Sequence, residues 1–243
     1  MDAVKIEGLT KKYGDKTVVN GLSLDIKQGE LLALLGVNGA GKTTTIKMLS
    51  GILAPDGGDA SVMGHSILRE LSQVKSVINV SPQETAVAPN LTVRENLELI
   101  AGIYGAGKAA CKRAAEDMME EFSMTDVAKQ RAKTLSGGWQ RRLSIAMALI
   151  TKPEVLFLDE PTLGLDVLAR RELWQEIEKL KGRVTVILTT HYMEEAEKLA
   201  DRIAVMNSGR LCALGTAAQL MELSGKDNFE DAFVELASGG IAV

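Results

Sequence analysis

Apolar and polar residues alternate in "VKIEGLT" and again in "TVVNGLSLDI", two runs joined by the turn "YGDK", so the chain opens on short antiparallel strands. "ELLALLG" is apolar at successive positions, the pattern of a parallel strand buried on both faces. A glycine-rich turn follows, and "KTTTIKMLSG" predicts a helix that ends at Gly51. From about Thr85 to Thr151 the pattern changes. "LTVRENLELIAGIYG", "KRAAEDMMEEF" and "WQRRLSIAMALI" carry apolar residues at three and four spacing with no convincing strand, which predicts an inserted helical part. Strand-like and helical runs then alternate through "VLFLDE", "ARRELWQEIEKLK", "VTVILTT", "HYMEEAEKLA", "RIAVMN" and "LCALG", as in a largely parallel α/β sheet. "NFEDAFVELAS" reads as a short amphipathic helix with Phe229, Phe233 and Leu236 on the side that packs on the core.

These elements divide 243 residues as a single domain: an α/β core from 1–84 and 152–224, a helical subdomain from 85–151, and a C-terminal helix and tail from 225–243. A hydrophobic content of 46% supplies enough apolar surface for such a core and argues against disorder. No apolar run approaches the roughly eighteen residues of a membrane span, and the N-terminus lacks the basic start and apolar stretch of a secretion signal. Two cysteines, Cys111 and Cys212, stand in no metal-like spacing; a reducing cytoplasm is the expected setting. A net charge of −4 with scattered Lys and Arg gives no footprint for nucleic acid, so none is expected as a partner.

Chemistry concentrates in a few stretches. "GVNGAGKTT" has the spacing of a phosphate-binding loop, running from Gly36 through Asn38, Gly39, Ala40, Gly41, Lys42 and Thr43 to Thr44. A buried strand leads in and a helix leads out, so backbone N–H groups can converge on phosphate oxygens. Lys42 would reach the β- and γ-phosphates and Thr43 would hold Mg²⁺. "VLFLDE" ends a buried strand on two carboxylates: Asp159 could orient the hydrated metal and Glu160 could accept a proton from attacking water, or both could merely end the strand in solvent. His191 follows another buried strand, where it could bond a γ-phosphate or simply cap a helix. Gln83, at the junction with the helical part, reads equally as a contact to metal or water and as a surface residue. Tyr13 could stack on an adenine ring or belong to its turn. In "LSGGWQRR", Ser136 is a good N-cap, while Gly137 and Gly138 leave the first N–H groups of a helix uncovered, implying a second anion site. At about 100° per residue Trp139 falls in phase with Leu143, Ala146 and Ile150, on that helix's apolar stripe.

In their order, Tyr13, "GVNGAGKTT", Gln83, "LSGGWQ", "VLFLDEPTLGLD" and His191 resemble the complete motif series of the ATP-binding cassette (ABC) ATPases, from about residue 2 to 220. The resemblance implies an α/β P-loop NTPase core with an antiparallel β edge and an inserted α-helical subdomain. It implies ATP and Mg²⁺ as ligands, Tyr13 against adenine, Lys42, Thr43 and Thr44 on phosphates and metal, and Gln83 near metal and water. Asp159 would organise the metal, Glu160 would be the catalytic base and His191 the switch histidine. Ser136, Gly137 and Gly138 would reach ATP bound to a second cassette in a head-to-tail homodimer or heterodimer, with Asp166 in the dimer-interface loop. Many relatives have glutamine at the position of Trp139, which leaves a packing anchor and a nucleotide contact across the dimer both open. "SPQETAVAPNLTVRENL" and "FEDAFVELA" further resemble cassettes of bacterial exporters of drugs, polysaccharides, lipids or sodium. On that resemblance the chain would be peripheral on the inner face of the cell membrane, driving a separate transmembrane permease. The competing readings are soluble ABC ATPases of DNA repair, ribosomes or iron–sulfur assembly.

Overall fold

The computed structural model describes residues 1–239; the last four residues of the C-terminal helix and tail expected at 225–243 lie outside them. The N-terminal strands β1 (Asp2–Tyr13) and β2 (Lys16–Lys27) pair antiparallel through the turn at Gly14, as their alternation requires. β3 (Leu31–Leu35), whose five residues are all buried, leads into α1 (Lys42–Leu49). The next strands, β4 (Gly57–Val62) and β5 (His65–Ser66), complete a four-stranded sheet in the order β2-β1-β4-β5.

That second hairpin has no clear alternation in the sequence, because "DGGDA" is poor in residues that favour strands. Its glycine is a steric requirement: at Gly58, with φ of +73°, a Cβ would meet the Gly8 carbonyl oxygen at 2.3 Å. Two backbones approach there too closely for a side chain.

The chain continues through α2 (Leu71–Val77) and β6 (Ile78–Ser81) into α3 (Val93–Ile103), α4 (Lys108–Glu121) and α5 (Gly137–Leu149). A capping box between Thr92 and Glu95 starts α3. From α3 to α5, strand pairing among the described residues is limited to an isolated bridge between Thr92 and Arg131. β7 (Val155–Asp159), α6 (Val167–Glu178), β8 (Thr185–Thr190), α7 (Met193–Leu199), β9 (Arg202–Asn207), β10 (Arg210–Gly215), α8 (Ala217–Ser224) and α9 (Phe229–Ala237) follow.

The larger sheet has the order β10-β9-β3-β8-β7-β6. Five of its strands run parallel, whereas β10 turns back antiparallel on β9. The two-residue connection explains the reversal: Ser208 and Gly209 both take positive φ, 49° and 78°, the geometry of a tight hairpin rather than of a crossover. The described α/β architecture, with its antiparallel edge, has the expected form.

Helix α9 buries Phe229, Ala232, Phe233 and Leu236 against β9, β10 and α7, so the expected apolar side does face the core. Phe229 is 3% exposed. Phe229→Ala should therefore lower stability by about 3–5 kcal/mol in denaturant unfolding. A loss below about 1 kcal/mol would mean that the helix is not packed as described.

Candidate active site

The parallel strands end together. Leu35 of β3 is level with Thr190 of β8, and Asp159 of β7 with Thr189, so Gly36, Glu160 and His191 are the first residues beyond three adjacent strands. A cavity of about 400 Å³ opens there, lined by Asn38, Gly39, Ala40, Gly41, Lys42, Thr43, Thr44, Gln83, Glu160 and His191 among others. Residues far apart in sequence are thus gathered by the sheet edge where α/β folds place ligands.

The loop from Gly36 to Thr44 depends on two left-handed glycines. Gly39 has φ of +85° and Gly41 +99°, and a Cβ on Gly41 would lie 2.7 Å from the Val18 carbonyl oxygen. Gly41 also occupies the N-cap of α1 and brings no side chain to that helix end. The first N–H groups of α1 therefore face the cavity as an anion cradle.

Lys42 is 5% exposed, and its ammonium donates to the carbonyls of Gly36 at 2.7 Å and Val37 at 3.3 Å. Glu160 Oε1 lies 3.6 Å from it. Burial pushes the Lys42 pKa below its ordinary value, while Glu160 and Asp159 oppose the shift. The Asp159 carboxylate oxygen Oδ1 accepts from two hydroxyls, Thr43 at 3.0 Å and Thr189 at 2.6 Å. Glu160 has φ of +46°, a conformation held by its N–H donating to Thr189, at 3.0 Å to the hydroxyl and 3.1 Å to the carbonyl. His191 Nδ1 lies 3.2 Å from Glu160 Oε2, off line for a hydrogen bond, and is buried without a partner. Histidine does not cap the following helix; Tyr192 occupies the N-cap position of α7.

Gln83 is exposed at the cavity wall, and its carbonyl, with that of Pro82, accepts from the buried Arg141 guanidinium on α5. Burial lowers the pKa of Arg141, opposed by Asp159. Tyr13, 51% exposed at the end of β1, does not line the cavity. Its ring lies 5.8 Å from the Lys11 ammonium.

Ser136, Gly137 and Gly138 stand apart from this cavity. Ser136 is at the N-cap of α5, but its hydroxyl makes no capping hydrogen bond, contrary to the expectation for serine there. The hydroxyl is left free toward solvent, where it is exposed beside Gly137. Trp139 is half-buried: it packs on the core, yet it also lines a small cleft with Ser136, Gly138 and Glu172. The Arg142 guanidinium stacks over its ring at 4.6 Å. Asp166 caps α6, accepting from the N–H groups of Leu168 and Ala169 at 2.9 Å each.

The family model described as "ABC transporter" matches residues 19–163, more than half of the chain. The chain belongs to the ABC transporter family. A daunorubicin resistance ATP-binding protein of Streptomyces coeruleorubidus is 42% identical over 99% of this chain and 77% of its own length. A Nod factor export ATP-binding protein of Paraburkholderia xenovorans is 43% identical over 90% of this chain and 72% of its own length. A dimeric ATP-binding cassette solved after hydrolysis, with ADP and Pi bound, superposes with a TM-score of 0.78 at 26% identity, over 88% of this chain and 98% of that one. This ABC protein is an ATP-binding transporter ATPase, which sets aside the DNA-repair, ribosomal and iron–sulfur readings.

Thr189 and Glu195 brace this site from outside the motif series, and Thr162 and Arg141 lie within "VLFLDEPTLGLD" and "LSGGWQRR" without being singled out there by sequence. A threonine in a buried strand, a threonine in the turn after one and an arginine on an apolar helix carry no local signal of the contacts they make. Because Trp139 packs on the core but keeps some exposure, Trp139→Ala should lower stability by about 2–4 kcal/mol, toward the low end of the cost for a fully buried large aromatic. Thermal and denaturant unfolding check this; a loss below about 1 kcal/mol would contradict the packing of the ring on the core.

Proposed function

We propose that this chain is the ATP-hydrolysing subunit of an export-type ABC transporter, acting as a homodimer or heterodimer of cassettes on a separate transmembrane permease. The export direction is supported by the relatives named for drug resistance and Nod factor export. Among the described residues no helix is long and apolar enough to cross a membrane. A transport role then calls for a membrane-spanning partner, and we take the chain to be cytoplasmic and peripheral on the inner face of the membrane. Residues 1–84 and 152–224 serve as the nucleotide-binding core and 85–151 as the helical subdomain.

The single observation that carries the reading is the convergence of Lys42, Glu160 and His191 on one cavity at the strand ends. In this reading the loop N–H groups and Lys42 hold the phosphates, and Tyr13 offers its exposed ring to adenine. Asn38, Ala40 and Thr44 complete the phosphate cradle. The donors near Asp159 suit Mg²⁺: a carboxylate and the Thr43 hydroxyl are hard oxygens, and Gln83 can add an amide oxygen from the wall. No cluster of three or more His, Cys, Asp or Glu forms among the described residues, so the ion would share one carboxylate with substrate oxygens. When bound, it neutralises charge on the phosphates.

Glu160 accepts the proton of attacking water, since its carboxylate faces the cavity on a backbone held at both ends. His191 contacts the γ-phosphate; its Nδ1, buried without a hydrogen-bond partner among the described residues, lies 3.2 Å from Glu160 Oε2. Ser136, Gly137 and Gly138 reach the ATP of the opposite cassette, which accounts for their separation from this chain's own cavity.

Glu160→Gln preserves shape and removes the base. It should retain ATP binding, accumulate an ATP-bound dimer and lose steady-state hydrolysis by at least about a hundredfold. Measured nucleotide affinity together with phosphate release tests this; near-normal turnover would remove Glu160 from the role.

A further inference from the structure

Three buried side-chain polar atoms lack a hydrogen-bond partner among the described residues: Arg170 Nε, His191 Nδ1 and Glu195 Oε2. Two of them flank one aromatic ring. The Tyr192 ring lies 4.1 Å from the His191 ring and 4.5 Å from the Arg170 guanidinium, and Glu195 follows on the first turn of α7. Buried polar groups are satisfied almost everywhere in folded proteins, so these exceptions, one of which lines the cavity, call for a functional reason.

Glu195 is the best-held member. It is fully buried, and its Oε1 accepts from the Thr162 hydroxyl at 2.8 Å and from the Trp174 indole N–H at 3.0 Å. It does not line the cavity. Its contacts instead complete a ladder between two chain segments. Where these leave β7 and β8, the Glu160 N–H donates to Thr189; one step out, Glu160 faces His191; beyond that, Thr162 donates to Glu195. The first and third links are buried, and the middle one faces the cavity.

We propose that Glu195 is a positioning residue for ATP hydrolysis: bonded to Thr162 and Trp174, it holds the segment that follows Glu160 against the segment that carries His191, and so sets the Glu160–His191 geometry. This rests on the reading that Glu160 and His191 act on ATP. Burial also pushes the Glu195 carboxyl up, against the hydrogen bonds it accepts and the nearby Arg170 charge. A glutamine in its place keeps the shape and the Oε1 acceptor, whereas alanine removes the link.

The test measures kcat, KM for ATP and melting temperature for the full chain and for Glu195→Gln, Glu195→Ala, His191→Ala and the Glu195→Ala/His191→Ala double variant. Glu195→Ala should lower kcat by about tenfold or more with KM within about twofold, and Glu195→Gln should restore kcat to within about threefold of the parent. In the His191→Ala background the alanine should cost less than about twofold further, because a residue that acts through another is not additive with it. Should Glu195→Ala not fold, Thr162→Val, which removes only the hydroxyl donor, is carried through the same cycle. Unchanged kcat in Glu195→Ala, failure of glutamine to restore it, or full additivity with His191→Ala would each overturn the proposal. The underlying reading is tested by a separate arm: unimpaired hydrolysis in His191→Ala would refute the role of His191 itself, whereas a slow His191→Ala beside a normal Glu195→Ala refutes the positioning role alone.

Discussion

The level at which three buried strands end is the constraint on which the rest depends. β3, β7 and β8 are parallel, adjacent and in register, so the residues that follow them emerge side by side. Their side chains are buried on both faces of the sheet, so the strands cannot shift without disturbing the packing on either side. The Asp159 carboxylate, bonded to Thr43 and Thr189, then ties the first turn of α1 to both neighbouring strands. A loop rich in glycine can afford its left-handed conformations only on such a frame.

From this frame the helical stretch is held by a small number of polar ties. Arg141 reaches from α5 to the carbonyls of Pro82 and Gln83, so the helix that begins at Ser136 and the wall residue Gln83 are linked through one buried cation. Its charge is satisfied by carbonyl dipoles, with the Asp159 carboxylate favouring it at longer range. Gln83 and Ser136 thereby share an anchor although they face different regions. On the proposed reading one responds to the chain's own nucleotide and the other to its partner's.

Much of the fold was legible because its signals are local. Continuous apolar runs mark β3, β7 and β8, and three-and-four spacing marks α3, α4 and α5. The hairpin of β4 and β5 was not, since its glycines are required by contact with β1 and not by its own pattern. The reversal of β10 was written in "NSGR", where a two-residue turn outranks the alternation of the elements around it. Within the site, the glycine and lysine spacing of the loop speaks for itself, and strand ends point to Asp159, Glu160 and His191. The supports, Thr189 and Glu195, are defined only by tertiary neighbours. Trp139 shows the same limit: helical phase put it on the apolar stripe, but phase says nothing of the cleft it lines or of the Arg142 guanidinium over its ring.

The central claim is that each ATP site is built from two chains, with the cavity of one facing Ser136 and its glycines on the other. Complementation between two inactive variants tests it most directly. Lys42→Ala disables the cavity side and Ser136→Arg the opposing side, so each alone should hydrolyse almost no ATP. Mixed and allowed to exchange, they form dimers in which one site combines an intact loop with an intact Ser136 face, and steady-state phosphate release should reappear. Two folded variants that stay inactive at every mixing ratio would contradict the account, as would a Ser136→Arg chain that hydrolyses ATP at the parent rate.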